Sequence, residues 1–132
     1  MKTTTTPKGN LVYLTYTFEG MPLGRSAYTV KDVIRIQPGL EEDKGLLAHE
    51  MTHVDQWHTK WLYQFRYNKS ASFRQQMEIE AYANQLKEDG NMGRLKEYAM
   101  LLAENYNLPI TWEKAARELV RQVGGYENAE MA

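Results

Sequence analysis

Three residues in the middle of the chain have the types and spacing of a metal site with a base beside it. They are His49, Glu50 and His53, in the run Leu46-Leu47-Ala48-His49-Glu50-Met51-Thr52-His53-Val54-Asp55-Gln56-Trp57. Residues four apart on an α-helix are surface neighbours, so these two imidazoles project side by side and can share one ion. Imidazole nitrogen suits Zn²⁺ at roughly 2.0–2.1 Å, and a catalytic zinc keeps one coordination position open for water. Glu50 lies about 100° round the helix from His49, so it borders the ion without being a natural ligand. A carboxylate there can take a proton that the ion makes acidic, which is the logic of the H-E-x-x-H pattern. Leu46, Leu47, Met51 and Val54 make the flanks apolar, as a buried helix requires.

Two histidines alone make a weak site, so a third protein ligand is expected. His58 follows soon after, but it falls about 180° round the helix from His49, whereas His53 falls only about 40° round. His58 therefore shares the face of Leu47, Met51 and Val54 and reads as a core or rim histidine. The pattern H-E-x-x-H-x-x-G-x-x-H would also need glycine at Gln56 and histidine at Thr59. The other candidates are Glu78 and Glu80, on a second helical stretch. Measured from Glu78, the residues Ile79, Tyr82 and Leu86 fall within about 40° to about 100° and form the core-facing stripe. Glu78 borders that stripe, whereas Glu80 sits about 200° round from it, towards solvent. Geometry favours Glu78 as third ligand, with Glu80 the alternative and two plain surface charges the bland one.

These residues need helices to carry them and a body to bury them. Leu11 to Phe18 is dense in β-branched and aromatic residues and reads as a strand, broken by Gly20-Met21-Pro22-Leu23-Gly24. A second extended stretch, Tyr28 to Ile36, is interrupted or bent near Lys31-Asp32 and stopped by Pro38-Gly39. Glu41-Glu42-Asp43 opens the motif helix, with Asp43 a candidate cap, and the helix is expected to run on through Trp61 and Leu62 to about Tyr67. Ser72 with Gln75 fits a capping box for a second helix ending at Asp89-Gly90. Met92–Tyr106 and Thr111–Val123 have helical periodicity on either side of Pro109, the last helix ending at Gly124-Gly125. Residues 1–10 read as a polar tail, and 126–132 as a frayed end.

Composition narrows the class. The 132 residues suit one domain, with 42% hydrophobic and 25% charged residues. Net charge is −1 and the charges are interspersed, so neither nucleic acid nor a membrane is an expected partner. There are no cysteines, which excludes disulfides and all-cysteine zinc sites. The start lacks the apolar core of a signal peptide and no window reads as a membrane span, so a cytoplasmic location is expected.

His49-Glu50-x-x-His53 followed one helix later by Glu78-x-x-Ala81 resembles the gluzincins, whose third zinc ligand is a glutamate on the following helix. The phrases Leu47-Ala48-His49-Glu50-Met51-Thr52-His53-Val54-Asp55-Gln56 and Glu78-Ile79-Glu80-Ala81 are similar to small metallopeptidase-like domains of bacteria and phages. The resemblance covers about residues 30–88. It implies an upstream strand lining the cleft, where an extended peptide adds as a neighbouring strand. Many relatives, such as the CAAX prenyl proteases, carry aspartate after the E-x-x-A alanine, where this chain has Tyr82. That aspartate commonly supports the metal shell, so the support falls here to another residue or is missing.

The expected fold is therefore α+β: a small zincin-like domain of about four helices with a short N-terminal sheet of two or three strands. The expected function is zinc-dependent peptide hydrolysis at a single Zn²⁺ held by His49, His53 and Glu78, with Glu50 as general base and a peptide or protein as substrate. Tyr82 is one of several tyrosines near enough in sequence to steady the oxyanion. The rival is an inactive, zinc-stabilised binding or assembly protein of phage or mobile-element origin.

Overall fold

The computed structural model describes residues 1–124, so the expected frayed end at 126–132 lies outside the described residues. Four strands and five helices follow in order: β1 (Lys2–Thr5), β2 (Leu11–Tyr16), β3 (Ala27–Val30), β4 (Val33–Ile36), α1 (Lys44–Thr59), α2 (Tyr63–Lys69), α3 (Ala71–Asp89), α4 (Leu95–Asn105) and α5 (Trp112–Val123). The fold is α+β, with one strand and one helix more than the sequence pattern suggests. No described helix is long and apolar enough to cross a membrane.

The sheet order is β1-β2-β4-β3. β1 runs antiparallel to β2, β2 parallel to β4, and β3 antiparallel to β4. Thus the polar start of the chain contains a strand. Lys2–Thr5 is β-branched at every position after the lysine, and edge pairing suits it although it has little apolar surface. The stretch from Tyr28 to Ile36 is a hairpin rather than one bent strand. It turns at Lys31, whose φ is 58°. Alternation puts Val12 and Leu14 of β2 and Ile34 and Ile36 of β4 on one face, where they pack with Ala27 and with Val54 of α1.

α1 therefore lies with one side on the sheet, through Leu46, Leu47, Met51 and Val54. Its other side faces α3. Asp43 caps it, accepting from the Leu46 N–H at 3.0 Å. Close approach of α1 to α3 depends on Gly45, where a Cβ would collide with Asp89 Oδ1 and stand 3.2 Å from Gln85 Cγ. A second core joins Ile79, Tyr82, Ala83 and Leu86 of α3 to Tyr98, Ala99 and Leu102 of α4 and Ala115 and Leu119 of α5.

The motif helix does not run to Tyr67. It ends at Lys60, which is extended, and Leu62 adopts a left-handed conformation with φ 54° before α2 begins. A straight helix would carry Tyr63 away from α3. The break turns α2 back so that Tyr63 packs with Phe73 and Met77. The α3 cap is Ser70, accepting from the Phe73 N–H at 3.1 Å, so Ser72 lies inside the first turn. Gly90, with φ 77°, closes α3 in the left-handed conformation that glycine adopts without a Cβ penalty.

Candidate metal centre

α1 and α3 bring His49, His53 and Glu78 together, with a potential ligand atom of each within 4.8 Å of the others. The Nε2 atoms of His49 and His53 are 3.3 Å apart. The Glu78 carboxylate faces both, Oε1 at 3.3 Å from His49 Nε2 and Oε2 at 3.2 Å from His53 Nε2. Glu78 is only 2% exposed, and its Oε1 is a buried oxygen with no hydrogen-bond partner. A buried carboxylate oxygen left without a donor is costly, and a cation between it and the two imidazoles removes that cost. Two nitrogens and one oxygen on three side chains also match the ligand set of a catalytic zinc, so the residues fit the ion.

The far side of each imidazole is fixed. His49 Nδ1 lies 3.0 Å from Gln85 Oε1, and His53 Nδ1 lies 2.9 Å from Gln56 Oε1. An amide oxygen can only accept, so each Nδ1 carries a proton and the Nε2 side of each ring is turned to the centre. Gln56 is held in turn: its Nε2 donates to Met77 O at 2.9 Å and to Glu80 Oε1 at 2.7 Å. Glu80 is thus half-buried at the α1–α3 seam rather than turned out to solvent. Gln85 stands one turn beyond Tyr82 on α3. It supplies the support that an aspartate at Tyr82 would give.

Charge is coupled across the centre. Burial alone would lower the His53 pKa, but Glu78, with Glu50 behind it, pushes it up to about 9. Burial alone would likewise raise Glu78, yet His53 and His49 hold its carboxyl well below the usual range. The pair is a charged imidazolium–carboxylate contact that a divalent cation would replace.

Glu50 borders this group as its position on the helix requires. Its Oε2 is 3.9 Å from His49 Nε2, and its Oε1 accepts from Thr29 Oγ1 of β3 at 2.7 Å. Two cavities meet there. One of about 200 Å³ is walled by β3 and α2 and touches His49, Glu50, His53 and Glu78. The other, of about 690 Å³, opens towards α4 and touches His49, Glu50 and Gln85. Arg25 lines both and stacks over Tyr106 at 5.5 Å.

Two tyrosines at the centre come from α2, the helix that the sequence pattern does not separate. Tyr67 donates to Glu78 Oε2 at 2.5 Å, and the Tyr63 hydroxyl is 3.1 Å from His53 Nδ1. Burial, reinforced by the Glu78 charge, raises both phenols, so they remain neutral donors. Arg74 fastens their helix, bonding Tyr67 O at 2.7 Å and Tyr106 O at 2.8 Å. Tyr82 instead sets its ring edge-on to His49, 4.4 Å between centroids, and its hydroxyl is 2.8 Å from that of Tyr106. His58 is exposed beside the Trp57 ring and stands outside the triad. Tyr63 and Tyr67 are four apart and Gln56 three beyond His53, a spacing that marks them once helix boundaries are known.

A family model described as the eCIS core domain matches residues 22–60, a minority of the chain. The match spans β3, β4 and α1, including His49, Glu50 and His53, and stops before Glu78. No curated protein and no solved structure matches.

Proposed function

We propose that this chain is a zinc-dependent metallopeptidase. The observation that carries the reading is the buried Glu78 carboxylate facing two Nε2 atoms, its Oε1 without a hydrogen-bond partner, with a separate carboxylate, Glu50, beside them. A site that only stabilised the fold would have no use for Glu50 in that place. His49, His53 and Glu78 would hold the ion, which supplies Lewis acidity for a scissile carbonyl and for water.

The remaining chemistry belongs to the chain's own side chains. Glu50 Oε1 is tethered by Thr29, which leaves Oε2 to accept the proton of an attacking water and deliver it to the leaving amine. The Tyr63 and Tyr67 hydroxyls and the Arg25 guanidinium line the same cavity and are the donors at hand for a developing oxyanion. Among the described residues β3 pairs only with β4, which leaves its other edge free, and Ala27, Tyr28 and Thr29 line the cavity. An extended peptide adding to that edge would lie across Glu50.

A second reading is favoured by the family match: a zinc-stabilised binding or assembly protein of a phage-like contractile injection system. One experiment separates the two. Protein purified without chelator is assayed for zinc and incubated with a peptide library, as wild type and as Glu50→Gln. The peptidase reading expects one zinc in both, and cleavage by wild type that falls by about 10²–10⁴-fold in the variant. Zinc in both with no cleavage by either puts the assembly reading first. Loss of zinc in Glu50→Gln means that Glu50 helps to hold the ion and the proposed role is wrong.

A further inference from the structure

The corner between α1 and α2 carries the densest set of exposed apolar side chains among the described residues. Trp61 is 69% exposed, Leu62 54% and Phe65 61%. All three lie within five consecutive positions, at an apex where every residue from His58 to Leu62 is exposed. Leu62 is held there with φ 54°, a conformation that a branched side chain adopts only at a cost. Other highly exposed apolar residues lie apart: Met1 at the start of the chain, and Phe18 and Leu23 in the loop between β2 and β3, with Glu19 among them.

Along the chain, charge at the corner has one sign, although Lys60 also borders a cavity that Glu80 and Glu88 of α3 line. Between Gln56 and Met77 the chain contains Lys60, Arg66, Lys69 and Arg74 and no acidic residue. Arg74 is used internally. Lys60, Arg66 and Lys69 are exposed and form no ion pair among the described residues. Arg66 reaches back to Trp61 O at 3.1 Å and stacks over Phe73 at 4.1 Å, which fixes a guanidinium beside the apex. Lys69 is one helical turn from Phe65. The cations are too scattered in sequence to read as a basic run, which is why the sequence alone suggests no membrane partner.

We infer that this corner is an interfacial anchor that inserts Trp61, Leu62 and Phe65 into an anionic lipid surface. Tryptophan and phenylalanine at a protruding tip suit the headgroup–acyl boundary, and lysine and arginine around them suit the negative surface potential. A protein groove would need a raised apolar ridge matched by a cleft of defined shape. A mixed aromatic tip flanked in sequence by exposed cations fits a fluid surface better. The inference stands independently of any hydrolysis. Its geometric consequence is that α2, which carries Tyr63 and Tyr67 into the metal centre, is the helix laid on the lipid.

The test uses the whole chain with vesicles of phosphatidylcholine, alone or mixed with phosphatidylglycerol. Co-sedimentation and the blue shift of tryptophan emission are measured for wild type, Trp61→Ser/Phe65→Ser and Lys60→Glu/Lys69→Glu, with soluble poly-glutamate as a further probe. All substituted residues are exposed and lie outside the metal centre, and melting temperatures check that the fold is kept. Wild type should bind the mixed vesicles at least about tenfold more strongly than neutral ones, weakening with salt. Each double variant should lose about tenfold or more, and the blue shift should vanish without Trp61. No preference for the anionic vesicles, or equal binding by the variants, overturns the inference. Corner-dependent binding to poly-glutamate with none to vesicles also overturns it, and assigns the surface to an acidic protein instead.

Discussion

Gln56→Met tests whether the histidine support works as drawn. Methionine keeps the length and apolar volume of the side chain while removing its amide, so packing is nearly conserved and the polar contribution is isolated. Gln56 is 2% exposed and takes part in three hydrogen bonds, with His53 Nδ1, Met77 O and Glu80 Oε1. His53 Nδ1 keeps the Tyr63 hydroxyl at 3.1 Å, and half-buried Glu80 can recover water. All three losses are partial, since Met77 O, inside α3, keeps the helical N–H four residues on. At about 1 kcal/mol for a full bond, the metal-free protein should lose roughly 2 kcal/mol. For a chain of this length that is a fall in melting temperature of about 6–10 °C. The zinc affinity should fall separately, by about tenfold or somewhat more, because the ring keeps one acceptor of two. Differential scanning calorimetry of chelated protein and a competitive zinc titration read the two effects independently. A melt within about 2 °C of wild type, together with unchanged zinc affinity, would refute the account of how His53 is oriented.

Glu78→Ala should abolish zinc binding, while Glu80→Ala should retain one zinc at an affinity no weaker than that of Gln56→Met; a zinc titration of both decides, and retention in Glu78→Ala removes the triad. In metal-free protein, the share of stability from the raised His53 is fully present below its ordinary pKa of 6.5 and is lost as pH climbs through about 9. The share from the depressed Glu78 is present above 4.5 and is lost as pH falls. Melting temperature of chelated protein should therefore decline from pH 6.5 towards 9 and zinc affinity should rise over the same range; a flat pair of profiles speaks against the buried charge pair. Gly45→Ala should destabilise by about 1–3 kcal/mol, measured by urea unfolding, since its methyl meets Asp89 and presses on Gln85. A neutral result would mean that the Asp89 carboxylate swings clear of the methyl.

The motif was legible because its chemistry is periodic. His49 and His53 at i and i+4, and Glu78 at the rim of an apolar stripe, follow from 3.6 residues per turn, and the structure places all three together. Asp43, Thr111 and Gly90 were legible as helix boundaries for the same local reason. What escaped is non-local. Nothing in Lys60-Trp61-Leu62 breaks a helix by composition, because leucine and tryptophan are good enough helix formers; α2 turns because Tyr63 gains Phe73 and Met77. With that turn went Tyr63 and Tyr67. β1 escaped because its threonines carry little apolar signal and the pairing with β2 supplies the order. Glu80 was placed towards solvent by its angle alone, but Gln56 reaches across from α1 to meet it.

The parallel seam between β2 and β4 bears on how the chain reaches this state. β1–β2 and β3–β4 are each antiparallel neighbours in sequence, joined by short turns, so each can form as a local hairpin. Joining them requires Leu14 to find Ile34 and Tyr16 to find Ile36 across the intervening loop and β3. Such non-local pairing carries a loop-closure cost before any contact rewards it. α1 docks through Val54 onto the face that this seam creates. The candidate metal-ligating histidines are thus mounted on a platform that is complete only when the two hairpins have met.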